Sequence, residues 1–326
     1  MRQQPANTLV TVIGGSGFLG HHVVRRLARA GYRLRVASRQ PSQALPLKPM
    51  GEVGQIALVR ADIRNEAEIA AAVAGAQIVV NLVGILRESG GRTFQALHVD
   101  GTATVARAAA AAGAHRLIHV SSIGARTDSR SAYARSKAEG ETQLRKAFPS
   151  ATILRPSIVF GPGDGFFNRF AALMRAMPFA FPAFGGGRTK FQPVFVGDVA
   201  DAVANALAND RTRGKTYELG GPAIYTLREL LEFIAGVTER KRAFFTVPFF
   251  ALDIAAMLTG WLPFAPITRD QARLLRIDNV AKAGPGADFV GTLADLGIQP
   301  TAVETIVPAY LWAYRRAGQY AVPRGA

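Results

Sequence analysis

The chain has 326 residues, 49% of them hydrophobic and 19% charged, which allows a large buried core and excludes a disordered chain. It has no cysteine, which excludes disulfides, thiolate catalysis and cysteine-held zinc or iron–sulfur sites. The net charge of +16 lies mainly in residues 1–160, with 21 basic and 9 acidic side chains against 18 and 14 beyond; no zinc-finger spacing and no run of five basic residues goes with it, so no nucleic-acid partner is expected.

Met1 to Asn7 is short and polar, so no signal peptide is expected, and no apolar run long enough for a transmembrane helix is free of charge or proline. Leu9–Ile13 is a β-branched run and predicts a strand; His21–Ala30 predicts a helix. Between them Gly14, Gly17 and Gly20 fall on a G-x-x-G-x-x-G spacing that also contains Ser16, Phe18 and Leu19. A strand, a glycine turn and a helix N-terminus together suit a pyrophosphate, because backbone N–H groups and the positive end of the helix dipole face the anion. One glycine allows the tight turn, one lets the backbone approach phosphate, and one lets helix and strand pack closely.

Strand and helix patterns then alternate. Arg33–Ala37 and Ile56–Arg60 predict strands, Glu66–Ala74 a helix and Ile78–Val83 an apolar strand. Asp100–Ala112 is an alanine-rich helix closed by Gly113. Leu117–Val120 predicts a strand, Tyr133–Ala147 a helix and Ala151–Val159 a further strand. This alternation implies an α/β fold, a doubly wound parallel sheet with ligands at the carboxyl ends of its strands. After Phe160 the run Gly161-Pro162-Gly163-Asp164-Gly165 breaks the pattern, and aromatics crowd Phe166 to Phe184. The expected division is a nucleotide-binding domain over 1–212, with an insertion near 162–192, and a smaller mixed subdomain over 213–326.

Ser121 and Ser122 follow a strand, and Tyr133 and Lys137 stand four apart in a helical pattern, which puts them on one face. A phenol titrates too high to serve as a base at neutral pH, and a neighbouring ammonium lowers it. Tyr133 can then pass a proton to or from a substrate oxygen that a serine hydroxyl holds, while hydride moves to or from a nicotinamide. The five histidines show no metal-ligand spacing, and no metal is expected.

These residues resemble the short-chain dehydrogenase/reductase superfamily in its extended or atypical branch, over about residues 8–210. The resemblance implies a Rossmann domain in which Gly14, Gly17 and Gly20 hold the cofactor. Asp62, with Ile63 beside it, would contact the adenine ring. Asn81, Leu82, Val83 and Gly84 would line the ribose and nicotinamide. Pro156 and Ser157 would border the carboxamide, and Ser122, Tyr133 and Lys137 would form the catalytic triad. The second strand ends Val36-Ala37-Ser38-Arg39-Gln40 without the acid that bonds a ribose 2′-hydroxyl. Ser38 and Arg39 suit a 2′-phosphate, so NADP(H) is favoured over NAD(H).

A narrower resemblance spans nearly the whole chain. It rests on Phe148-Pro149, Phe160-Gly161, Phe191 to Ala200, Pro266 to Gln271 and Ala294 to Ile298. These look like the family of the NADPH-binding, dehydrogenase-like accessory subunit of respiratory complex I (alpha subcomplex subunit 9) and its bacterial relatives, some linked to quinone biosynthesis. That resemblance implies complex I subunits as partners and a mainly structural role. Retention of Ser122, Tyr133 and Lys137 together departs from members with a purely structural role, and the alternative is an active NADPH-dependent reductase or dehydrogenase of an apolar carbonyl or quinone-type substrate.

Ala243 to Ile267 is strongly apolar and has basic flanks at Arg240-Lys241-Arg242 and Arg269. Pro248 and Pro263 bracket a segment that, as a helix, is too short to span a bilayer. It suits a membrane interface, a lid over an apolar substrate, or a buried helix of the subdomain. Met177 to Phe184 suits either a second apolar wall or plain core. A nucleotide-sugar pocket is disfavoured, since it needs more polar lining. The expected location is the cytoplasm, peripheral to the inner face of the cytoplasmic membrane.

Overall fold

The computed structural model describes residues 5–177, 179–259, 268–282, 290–315 and 318. Eight strands form one parallel sheet: β1 (Leu9–Ile13), β2 (Arg33–Ser38), β3 (Ile56–Arg60), β4 (Ile78–Asn81), β5 (Arg116–Val120), β6 (Thr152–Pro156), β7 (Thr216–Leu219) and β8 (Val290–Gly291). Their order is β3-β2-β1-β4-β5-β6-β7-β8, so the direction of winding reverses between β1 and β4. Every residue of β4 and β5 is buried, and so is all of β1 except Leu9. Such continuous burial needs helices on both faces, which is why these strands read as unbroken apolar runs.

Five helices provide that cover: α1 (Phe18–Arg29), α2 (Glu66–Val73), α3 (Gly101–Ala111), α4 (Ala132–Ala147) and α5 (Val196–Ala208). α1 packs on α5, while α2, α3 and α4 pack in a row. α1 buries Gly20, Val23, Val24, Leu27 and Ala28, an apolar stripe of helical period. Arg26 on α1 pairs with Asp201 on α5.

The chain divides into two compact units, and it passes between them more than once. The first holds Met1–Pro156, Val196–Leu219 and Lys282–Gln299; the second holds Ser157–Phe195, Gly220–Ala281 and Pro300–Ala326. In the second, Ala180–Phe184 pairs in parallel with Ala243–Val247, and helices Phe167–Ala176 and Leu227–Val237 pack together. Its core gathers Phe160, Phe167, Phe181, Leu230, Ile234 and Leu311. Phe167 and Phe181 are therefore core, at 0% and 2% exposure, whereas Phe179 is 85% exposed.

Two expectations for local structure change. Ala151–Val159 is not one strand: Thr152–Pro156 joins the main sheet, and Val159–Phe160 pairs with Val194–Phe195 in the second unit. The break follows Pro156, which has no N–H to offer a ladder. The apolar segment from Ala243 is first a strand, Ala243–Val247, then a helix, Phe249–Thr259, that starts just after Pro248. Phe, Thr and Val suit a strand. Residues 260–267, including Pro263 and Pro266, lie outside the described residues. Among the described residues no helix is long and apolar enough to cross a membrane.

Candidate functional site

The glycine turn sits at the carboxyl end of β1, where the winding reverses. Gly14 has φ +81°, a left-handed value that favours glycine. A Cβ on Gly20 would lie 2.4 Å from the carbonyl oxygen of Gly15, so the helix can meet the turn only without one. Gly17 caps α1 without a side chain, and the N–H groups of the first helical turn receive no side-chain acceptor there.

A cleft of about 230 Å³ opens beside this turn. Gly14, Ser16 and Gly17 line it from the turn, Ser38 and Arg39 from the end of β2, Ile63 from beyond β3, and Leu82, Val83 and Gly84 from beyond β4. Ser38 Oγ is buried and has no hydrogen-bond partner among the described residues, and so is Asn81 Nδ2. Buried polar atoms left this way are rare and fit a site shaped for a polar ligand. The shape, the glycine cradle and these orphan atoms fit a dinucleotide.

The other expected residues of the first unit have the following partners. Phe18 meets the His22 ring edge-on at 5.9 Å. Asp62 is bidentate to Arg64, with Nε–Oδ1 at 3.0 Å and Nη2–Oδ2 at 2.6 Å, and this pairing holds its carboxyl below the usual range. Asn81 Oδ1 accepts from the N–H of Val83 at 3.1 Å, which fixes the turn out of β4. The carbonyl of Pro156 accepts from Ile123 N–H at 3.0 Å. In the second unit, Ser157 Oγ donates to Asn279 Oδ1 at 2.6 Å.

Ser122 lies two residues past β5, and its Oγ is buried without a partner among the described residues. Tyr133 and Lys137 share one face of α4, whose first turn Ser131 caps by accepting from Ala134 N–H at 3.3 Å. Lys137 is 4% exposed, and its Nζ donates to Val120 O at 3.4 Å. Burial pushes its ammonium down to about 8, against the pull of Glu141. A methyl on Gly84 would come within 3.1 Å of that Nζ, so the lysine lies between the ends of β4 and β5. Glu141, one turn further along α4, is held by Arg155 through bonds of 2.9 and 2.5 Å.

His98 is the residue that sequence reasoning passed over. It sits on a π-helical turn, Gln95–Asp100, that leads into α3. Its Nε2 accepts from the N–H of Ile85 at 3.0 Å, which assigns the ring proton to Nδ1. Nδ1 lies 2.9 Å from Ser136 Oγ, and Ser136 Oγ donates to the carbonyl of Tyr133 at 2.8 Å. The ring stacks on Phe94 at 5.4 Å and meets Tyr133 edge-on at 5.5 Å. His98 therefore ties the loop leaving β4 to the helix that carries Tyr133 and Lys137. Burial and the nearby Lys137 push its pKa down to about 3, so it is neutral at physiological pH. Gly140 makes room for this turn, since a Cβ there would lie 2.1 Å from His98 O. Among the described residues no cluster of His, Asp or Glu could hold a metal ion.

Comparison with known proteins adds four findings. The family described as NAD dependent epimerase/dehydratase matches residues 10–220. The chain is 36% identical over 307 residues to the mitochondrial NADH dehydrogenase (ubiquinone) 1 alpha subcomplex subunit 9 of Rattus norvegicus, covering 93% of this chain and 79% of the relative. It is 38% identical over 159 residues to the ceramide reductase of Caulobacter vibrioides, covering 49% of each. Among solved structures, the dTDP-glucose 4,6-dehydratase DesIV of Streptomyces venezuelae, with NAD and TYD bound, shares the fold at a TM-score of 0.70 and 20% identity over 94% of this chain and 97% of that one.

Proposed function

The chain belongs to the NAD dependent epimerase/dehydratase family, and on that footing we propose that it holds NADP(H) in the cleft at the carboxyl end of β1 and serves the respiratory NADH:quinone oxidoreductase, or quinone metabolism, at a membrane. The likeness to the rat complex I subunit along 93% of the chain carries the partnership. A tagged protein recovered from native membranes should bring complex I subunits with it; recovery of none would remove the partnership.

The cofactor preference rests on the end of β2. The first-turn N–H groups of α1 would take the diphosphate, and Ser38 and Arg39 the 2′-phosphate. Arg39→Ala should raise the Kd for NADPH roughly tenfold and leave that for NADH nearly unchanged. Calorimetric titration with both forms reads this directly, and equal changes would refute the 2′-phosphate assignment.

Membrane contact is supported by helix Phe249–Thr259. Its Phe250, Ile254 and Met257 form one row at 67%, 52% and 55% exposure. Arg240, Lys241 and Arg242 precede it in the chain. An apolar row beside basic residues suits the interface of an anionic bilayer, which favours peripheral attachment at the inner face of the cytoplasmic membrane.

A second reading has its own support. Ser122, Tyr133 and Lys137 are all present, and the likeness to a ceramide reductase covers about half the chain. The protein would then reduce an apolar carbonyl or quinone-type substrate, with hydride supplied by the bound nicotinamide. Tyr133 would protonate the substrate oxygen, Ser122 would hold that oxygen, and Lys137 would favour the phenolate. Tyr133→Phe should cut NADPH turnover on apolar ketones or quinones by roughly a hundredfold or more while leaving NADPH binding intact. Equal turnover by the two proteins would exclude this reading.

A further inference from the structure

Arg39 shares the cleft with a second arginine, Arg92. Arg92 comes from the segment after β4, and that segment is tied down along its length. Ser89 and Arg92 exchange backbone hydrogen bonds of 3.2 and 3.0 Å. Arg64 Nη1 donates to Gly91 O at 3.2 Å, and Phe94 N–H donates to Glu88 Oε1 at 2.7 Å. The segment leaves β4 through Ile85, which His98 holds. Arg92 is thus presented by a fixed strap.

Arg92 Nε is buried without a hydrogen-bond partner among the described residues. Arg92 forms no ion pair there either, and Asp62, at the nearby end of β3, is already occupied by Arg64. A buried donor on a charged group is costly to leave unmatched, and a planar guanidinium fork matches phosphate oxygens in pairs. The strap, the orphan Nε and the shared cleft with Gly14, Gly17 and Ser38 all bear on one ligand chemistry.

The geometry points to Arg92 as a phosphate-binding residue of the dinucleotide site, one that neither the glycine turn nor the end of β2 announces. The inference rests on the reading that the cleft holds NADP(H). That cofactor offers two phosphate sources, the diphosphate common to both nicotinamide forms and the 2′-phosphate.

The full-length protein and its Arg92→Met and Arg92→Lys variants should be titrated by calorimetry with NADPH, NADH and 2′,5′-ADP. Arg92→Met is expected to raise the Kd for NADPH roughly tenfold or more, with Arg92→Lys recovering part of the loss. A loss shared by NADH assigns Arg92 to the diphosphate; a loss confined to NADPH and 2′,5′-ADP assigns it to the 2′-phosphate. If methionine prevents folding, the lysine variant, which keeps the charge but not the fork, must still bind NADPH more weakly than the parent. An unchanged Kd in folded variants of a parent that binds NADPH overturns the inference alone. A parent that binds neither nicotinamide form overturns the cofactor reading and the inference with it.

Discussion

Lowering the pH from 6.5, the usual imidazole value, to about 3 is expected to remove on the order of 5 kcal/mol of folding stability through His98 alone. The folded protein keeps this ring neutral because it is 1% exposed, faces the Lys137 ammonium, and uses Nε2 to accept from Ile85. An unfolded chain takes up a proton near the usual value. Across the interval the unfolded state therefore binds more protons, and stability falls as the pH falls. The contribution is complete above 6.5 and gone below about 3. Many carboxylates also respond to acid, so the test is a difference. Urea unfolding of the parent and of His98→Gln, which cannot titrate, should give slopes that differ by about 1.4 kcal/mol per pH unit between about pH 6 and about pH 4. Coincident slopes would mean that the folded protein accepts the proton freely.

Lys137→Met is expected to act at the other end of the scale. Burial depresses the folded ammonium from 10.5 to about 8. The unfolded state again binds more protons between those values, so the stability tied to this group is complete above 10.5 and lost as the pH falls through about 8. At neutral pH the parent carries the whole penalty, about 3 kcal/mol. Methionine fills similar volume without the charge, so the variant should unfold at higher urea near pH 7 and show no rise between about pH 8 and about pH 10. The same variant should lose whatever proton transfer Tyr133 performs, since the charge that favours the phenolate is gone. A variant less stable than the parent at neutral pH, with the alkaline rise intact, would show that the buried charge is compensated.

The parts of the fold that could be read from sequence are those where one local signal decides the outcome. Leu9–Ile13 and Ile56–Arg60 are strands with the predicted bounds, because a short apolar run between turn residues is too brief for a helix. The glycine spacing was legible for a similar reason: Gly14 needs its φ of +81° and Gly20 cannot carry a Cβ. Tyr133 and Lys137 came from a helical period. What stayed hidden depends on contacts between distant segments. His98 joins Ile85 to Ser136, thirteen residues one way and thirty-eight the other, and no period in the sequence marks it. Arg92 reaches the cleft only because a strap folds back after β4. Ala243–Val247 read as part of an apolar segment of no fixed type, and it is a strand because Ala180–Phe184 pairs with it. Nothing local told Phe167 and Phe181 that they would be core.

The passage of the chain between its two units has a consequence for biosynthesis. A ribosome that has released the first 160 residues has delivered β1 to β6 and the glycine turn, but not β7 (Thr216–Leu219) or β8 (Val290–Gly291). Until β7 emerges β6 offers an open edge of unpaired backbone groups to its surroundings, and until β8 emerges β7 does, the sort of edge that invites pairing with the wrong chain. Chaperone dependence should therefore concentrate in the interval when the nascent chain is past β6 and short of β8, and a late stall in translation should be more damaging to solubility than an early one.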